Sequence, residues 1–112
     1  MKRLPAPFYA LPSGREPVRD WLKELDPEDR KIVGEDIKDV EYGWSIGMQL
    51  YRSLGSGLRE VRSDLTPGRI ARVIFRVLTR EMVLLHAFIK KTQKAPFGDI
   101  EIALKRKRDI SP

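Results

Sequence analysis

Leu58-Arg59-Glu60-Val61-Arg62-Ser63, Thr66-Pro67-Gly68 and Ile70-Ala71-Arg72-Val73-Ile74-Phe75-Arg76-Val77-Leu78 decide how this chain folds. The last stretch alternates Ala71, Val73, Phe75 and Val77 with Arg72, Ile74 and Arg76, the period of a strand with one buried face. The first has the same period, with Leu58, Glu60 and Arg62 on one face and Arg59 and Val61 on the other. Between them, proline presets one backbone dihedral and glycine relieves the next, so the chain turns. If the hairpin is symmetric about Pro67, Arg62 lies opposite Arg72. Like charges directly opposite destabilise a sheet. Two readings stay open: Glu60 neutralises the pair on a solvated face, or the arginines clamp a phosphodiester.

Outward from the hairpin, Thr79-Arg80-Glu81 predicts a second turn into the strand Met82 to Ile89, placed centrally because it is apolar on both faces. Upstream, Glu16 to Leu25 predicts a helix, with Pro17 in its first turn and Val18, Trp21, Leu22 and Leu25 on one side. Asp26-Pro27 restarts the chain as N-cap and first helical residue. Val33, Ile37, Val40 and Trp44 then give the second helix one apolar stripe. Phe8 to Leu11 reads as a first strand, and Phe97 to Lys107 as a last helix with Ile100, Ala103 and Leu104 inward. The expected fold is α+β, in the order β-α-α-β-β-β-α, over residues 1–112 as one domain.

The chain has 112 residues, 41% hydrophobic and 34% charged, which excludes a disordered tail. It has no cysteine, which excludes disulfides and thiolate metal sites. Met1-Lys2-Arg3-Leu4-Pro5 is basic with no apolar stretch after it, and the apolar run Met82 to Ile89 is too short to cross a bilayer. No signal peptide and no membrane partner are expected, and the location expected is the cytoplasm. Lys and Arg total 22 against 16 Asp and Glu, a net charge of +6 that favours a polyanionic partner. Every basic residue from Arg52 to Arg80 is arginine, whose rigid fork matches phosphate.

Lys90, Lys91 and Lys94 follow the third of these strands and could reach the arginine face. With Lys105-Arg106-Lys107-Arg108 they describe a basic groove, although that run also suits a solvated helix end. His86, the only histidine, reads as a packed, hydrogen-bonded core residue, and its solitude excludes a two-histidine acid–base pair. No His, Asp or Glu spacing resembles a metal site, and Gly55-Ser56-Gly57 lacks the lysine of a phosphate loop.

Gly57-Leu58-Arg59-Glu60-Val61-Arg62, Arg72-Val73-Ile74-Phe75 and Val83 to Pro96, ending Lys90-Lys91-Thr92-Gln93-Lys94-Ala95-Pro96, resemble the HigB-like, phage-derived branch of the RelE/ParE toxin superfamily. The likeness runs from Phe8 to about Arg106. It implies a helical hairpin packed on a curved, mainly antiparallel four-stranded sheet. It also implies a cognate antitoxin, often a helix-turn-helix DNA-binding protein, and cleavage of mRNA, commonly on the ribosome, without metal or cofactor. Such cleavage proceeds by attack of the ribose 2′-OH on the adjacent phosphate. By resemblance, Arg62 and Arg72 stabilise charge on the phosphate, and Lys90, Lys91 or Lys94 serves as base or acid. Glu60 is a lesser candidate base that could instead brace Arg62. Arg59, Arg76, Phe97 and Lys105 are the expected RNA contacts, Phe97 by stacking where some relatives carry tyrosine. Two alternatives share these residues: a ParE-like gyrase-inhibiting toxin, and a non-catalytic nucleic-acid-binding accessory protein.

Overall fold

A computed structural model describes residues 4–44, 51–90 and 97–110. Its elements are α1 (Pro17–Glu24), α2 (Pro27–Gly43), β1 (Arg52–Gly55), β2 (Leu58–Leu65), β3 (Arg69–Leu78), β4 (Glu81–Lys90) and α3 (Phe97–Ile110). The four strands form one antiparallel sheet whose spatial order is β1-β2-β3-β4. The β2–β3 hairpin is symmetric about Pro67, and Arg62 pairs with Arg72 as its spacing predicts.

Strand parity then sorts the side chains into two cores. Val61, Leu65, Ala71, Val73, Phe75, Met82, Leu84 and Ala87 face α1 and α2, which add Val18, Val33, Ile37 and Val40. The larger of these side chains (Val, Leu, Ile, Phe and Met) contribute about 1.5–3 kcal/mol each on full burial, so this interface dominates the fold. On the other face Leu58, Ile74 and Leu85 pack with Tyr9 and with Ala103 of α3. The sheet therefore carries the helical hairpin on one side and α3 on the other.

The hairpin begins as its sequence indicates, with Pro17 and Pro27 in the first turns of their helices and Asp26 at the N-cap, although the Asp26 side chain makes no capping hydrogen bond. The Arg30 guanidinium closes the corner by donating to the carbonyls of Leu22, Lys23 and Leu25. Arg69 ties the hairpin to the sheet through a two-pronged contact with the Asp29 carboxylate, at 2.9 and 3.2 Å.

Three expectations change. Phe8–Leu11 is not a strand: only Phe8 forms a bridge, parallel to Leu84. The Pro5 and Pro7 carbonyls accept from Met82 and Leu84, and Tyr9 N–H donates to Leu84. Pro7 has no N–H to return to β4, so the ladder cannot extend below Phe8. The fourth strand is instead β1, before β2, which makes the observed order α-α-β-β-β-β-α. Finally, β4 ends the four-strand order and β3 is interior to it. The apolar character of β4 comes from being covered on both faces by helices. A register shift between Ile74 and Phe75 leaves Leu85 without a partner on β3, so Leu84 and Leu85 enter opposite cores.

Candidate nucleic-acid interface

The register lays three rows across the α3 face of the sheet. Arg62, Arg72 and Phe88 form the middle row, Glu60, Ile74 and His86 the row on one side, and Asp64, Ile70 and Lys90 the row on the other. Alternation along each strand puts all nine side chains on the face away from the helical hairpin. Arg52 pairs with Glu60 and adds a cation at the outer end of its row. Returning after β4, α3 closes the end of this face near Leu58 and Gly57, where Lys107 Cε stands 3.2 Å from the position a Gly57 Cβ would take.

Within the middle row the two arginines differ. Arg62 is exposed, and among the described residues it has no carboxylate partner. Arg72 is 9% exposed and Glu60 only 1%, which corrects the reading in which Glu60 neutralises the arginine pair on a solvated face. Arg72 Nη2 donates to Glu60 Oε1 at 3.2 Å. Arg72 Nε and Glu60 Oε2 lie 3.0 Å apart, but without hydrogen-bond alignment, so that second contact is Coulombic only. On its other side the guanidinium lies over the Phe88 ring, 6.0 Å from the centroid. The Glu60 carboxylate is thereby closed off from solvent. Glu60 orients Arg72, holding its guanidinium toward the neighbouring row of Glu60, Ile74 and His86.

Beside this row the structure assembles a second group that local sequence did not reveal. His86 stacks on Phe88, with ring centroids 5.7 Å apart and planes at 24°. Its Nε2 lies 2.7 Å from Asp99 Oδ1 in the first turn of α3, and its Nδ1 3.4 Å from Arg106 Nη1. Arg106 also donates to the Leu85 carbonyl at 2.8 Å and lies over the Tyr9 ring. Burial pulls the Arg106 guanidinium below its ordinary value, which the neighbouring Tyr9 partly opposes. Burial raises the Tyr9 phenol, as does its 2.7 Å hydrogen bond to Asp109. His86 is thus packed and hydrogen-bonded, as its place in an apolar strand predicts. An acid in the first turn of a helix reads simply as a match to the helix dipole, and nothing local couples it to a histidine 13 residues earlier.

The remaining expected site residues, the candidate acid or base lysines and the RNA contacts, scatter. Lys90 sits at the end of β4, paired with Ile70 beside the arginine row. Lys91 and Lys94 lie outside the described residues. Phe97 opens α3 and is 73% exposed. Lys105 lies on the outer side of α3, in a groove it lines with Glu101, Ile102 and Arg108. Arg76 shares the face of Arg72 but lies four residues along β3, about 14 Å away. Arg59 is on the opposite face by parity, its guanidinium over Trp44 and Tyr51 at 5.2 and 5.9 Å. Among the described residues no three His, Cys, Asp or Glu side chains group to hold a metal ion. None of the described helices is long and apolar enough to cross a membrane.

A family model described as Phage derived protein Gp49-like (DUF891) matches residues 20–108, from α1 through most of α3. The chain belongs to this Gp49-like family. Gp49-like proteins are of RelE/HigB-like toxin type, and the family is associated with the toxins of toxin–antitoxin pairs. All three rows of the sheet face, and Asp99 with them, fall within the Gp49-like match. No curated protein matches the chain.

Proposed function

We propose that this chain is the toxin of a type II toxin–antitoxin pair, of the HigB-like branch, and that it cleaves mRNA. The observation that carries the reading is the pairing of Arg62 with Arg72 on the α3 face of the sheet, with a carboxylate supplied to only one of them. Two opposed guanidinium groups are unfavourable in a sheet unless an anion joins them. Glu60 is that anion for Arg72, and an RNA phosphate is the matching anion for Arg62.

In this reading the 2′-OH attacks the adjacent phosphate, giving a cyclic phosphate and a free 5′-OH. Arg62 and Arg72 bind the charge that grows on the phosphorane, Arg72 at a fixed angle and Arg62 from solvent. Lys90, with Lys91 and Lys94 after it, supplies protons or further positive charge. Phe97 stacks on a base. Arg76 and Lys105 extend the track of the strand, while Arg59 acts separately from the other face. The partners are mRNA, with the ribosome presenting it, and an antitoxin of helix-turn-helix type, and the reaction takes place in the cytoplasm without metal.

Inducible expression tests this, with mRNA 5′ ends and plasmid supercoiling followed in one culture. Growth arrest with new 5′-OH ends supports the nuclease, and these should vanish with Arg62→Ala. Arrest with intact mRNA and altered supercoiling moves the protein to a gyrase-directed toxin. Absence of arrest leaves a nucleic-acid-binding protein.

A further inference from the structure

Resting on the nuclease reading, we infer that Asp99, oriented by His86, is the proton acceptor of the site. The residues expected to move protons are lysines, whose ammonium groups donate and do not accept, and Glu60, which is sealed against Arg72. Asp99 differs from both. Its side chain is 33% exposed, whereas the His86 side chain behind it is 15% exposed. Its Oδ1 is engaged by His86, and among the described residues Oδ2 has no partner.

The donor inventory fixes what His86 does. Arginine donates and never accepts, so the Nδ1 facing Arg106 presents its lone pair. Nε2 then carries the hydrogen and donates it to Asp99. Stacking on Phe88 holds the imidazole plane, and Phe88 is the ring beneath Arg72. One chain of contacts therefore runs from the fixed arginine to the carboxylate, along two neighbouring rows of the sheet. His86 is a positioning residue, and Asp99 is the group that meets RNA.

The step balances without another reactant. Asp99 Oδ2 takes the hydrogen of the 2′-OH as the O2′–P bond forms. The P–O5′ bond breaks with its electron pair on O5′, which takes a proton from the Lys90 ammonium. Exchange with water restores both side chains.

The test measures the rate at which 5′-OH ends appear in mRNA, in a ribosome-containing translation extract supplied with the purified full chain. Asp99→Asn keeps a carbonyl oxygen for His86 but accepts no proton, so cleavage should fall about 10²–10⁴-fold. The melting temperature should move by no more than about 4 °C. Asp99→Glu restores a carboxylate and should cleave within about tenfold of the parent. If Asp99→Asn proves too unstable, Asp99→Gln against Asp99→Glu makes the same comparison at equal length. An uncharged amide that cleaves within about threefold of the parent overturns the inference and leaves the nuclease reading standing, since proton transfer is worth far more. A parent chain that yields no 5′-OH ends overturns both.

Discussion

Replacing Arg72 by alanine should damage the fold before it reports on any reaction. The substitution leaves the Glu60 carboxylate, whose side chain is 1% exposed, without its cation. Breaking one side of a buried pair costs about 3–5 kcal/mol, because the surviving charge has lost its water as well as its partner. A chain of this size is stabilised by only about 5–15 kcal/mol in all. With a urea slope near 1.5 kcal/mol/M, the midpoint of unfolding should fall by about 2–3 M. Trp21 and Trp44, both packed against the main core, report that transition by fluorescence. Removing both charges with Glu60→Leu and Arg72→Met should recover most of the loss, since an apolar pair of similar volume is often neutral or better. The reasoning fails if Arg72→Ala shifts the midpoint by less than about 0.5 M. It fails equally if the double variant is as unstable as the single one. Loss of toxicity in Arg72→Ala alone therefore says little about phosphate binding.

Other variants separate chemistry from stability. Arg62→Ala removes an exposed side chain, so stability should stay within about 0.5 kcal/mol by urea titration. RNA cleavage should nonetheless drop about 10²–10³-fold, as for loss of one preorganised charge donor. Tyr9→Phe loses the bond to Asp109 and about 1 kcal/mol. The folded phenol titrates above its ordinary value of 10.0. Its stabilisation is therefore complete below the unfolded value and is lost as pH rises through the higher folded one. In thermal melts taken at rising alkaline pH, the parent should approach Tyr9→Phe, and a constant gap between the two would contradict this. Gly57→Ala places a side chain at φ 77° and against Lys107, and should cost about 1–2 kcal/mol by the same urea assay.

The β2–β3 hairpin was legible because everything that sets it is local: alternation, a turn at Pro67, and equal arms on either side. The helical hairpin was legible for the same reason, through its apolar stripes and its prolines. What escaped depended on distant partners. Arg52–Gly55 is four residues, mostly exposed and without alternation, and it becomes a strand only by pairing with β2. The extended stretch near Phe8 has the composition of a strand, but its prolines forfeit the donors a ladder needs. Glu60 and Arg72 bear charges that read as surface, and only the register shows that they stand close enough to bury each other. The link between His86 and Asp99 requires α3 to fold back over β4, which no spacing along the chain announces.

The stretch that replaces the first strand also shapes how the molecule can meet its copies. A sheet margin with unpaired N–H and C=O groups invites another chain to add to it. Alongside β4, the stretch from Pro5 to Tyr9 occupies that margin and takes up the Met82 and Leu84 amides, and its Ala6 N–H, which faces away from β4, already donates to the Glu41 carboxylate at 3.1 Å. Among the described residues the other margin is β1, only four residues long and headed by a charged Arg52. One side is covered, with the outward Ala6 amide already bound, and the other is too short and too charged to template growth, so strand-by-strand polymerisation finds little purchase even at high protein concentration.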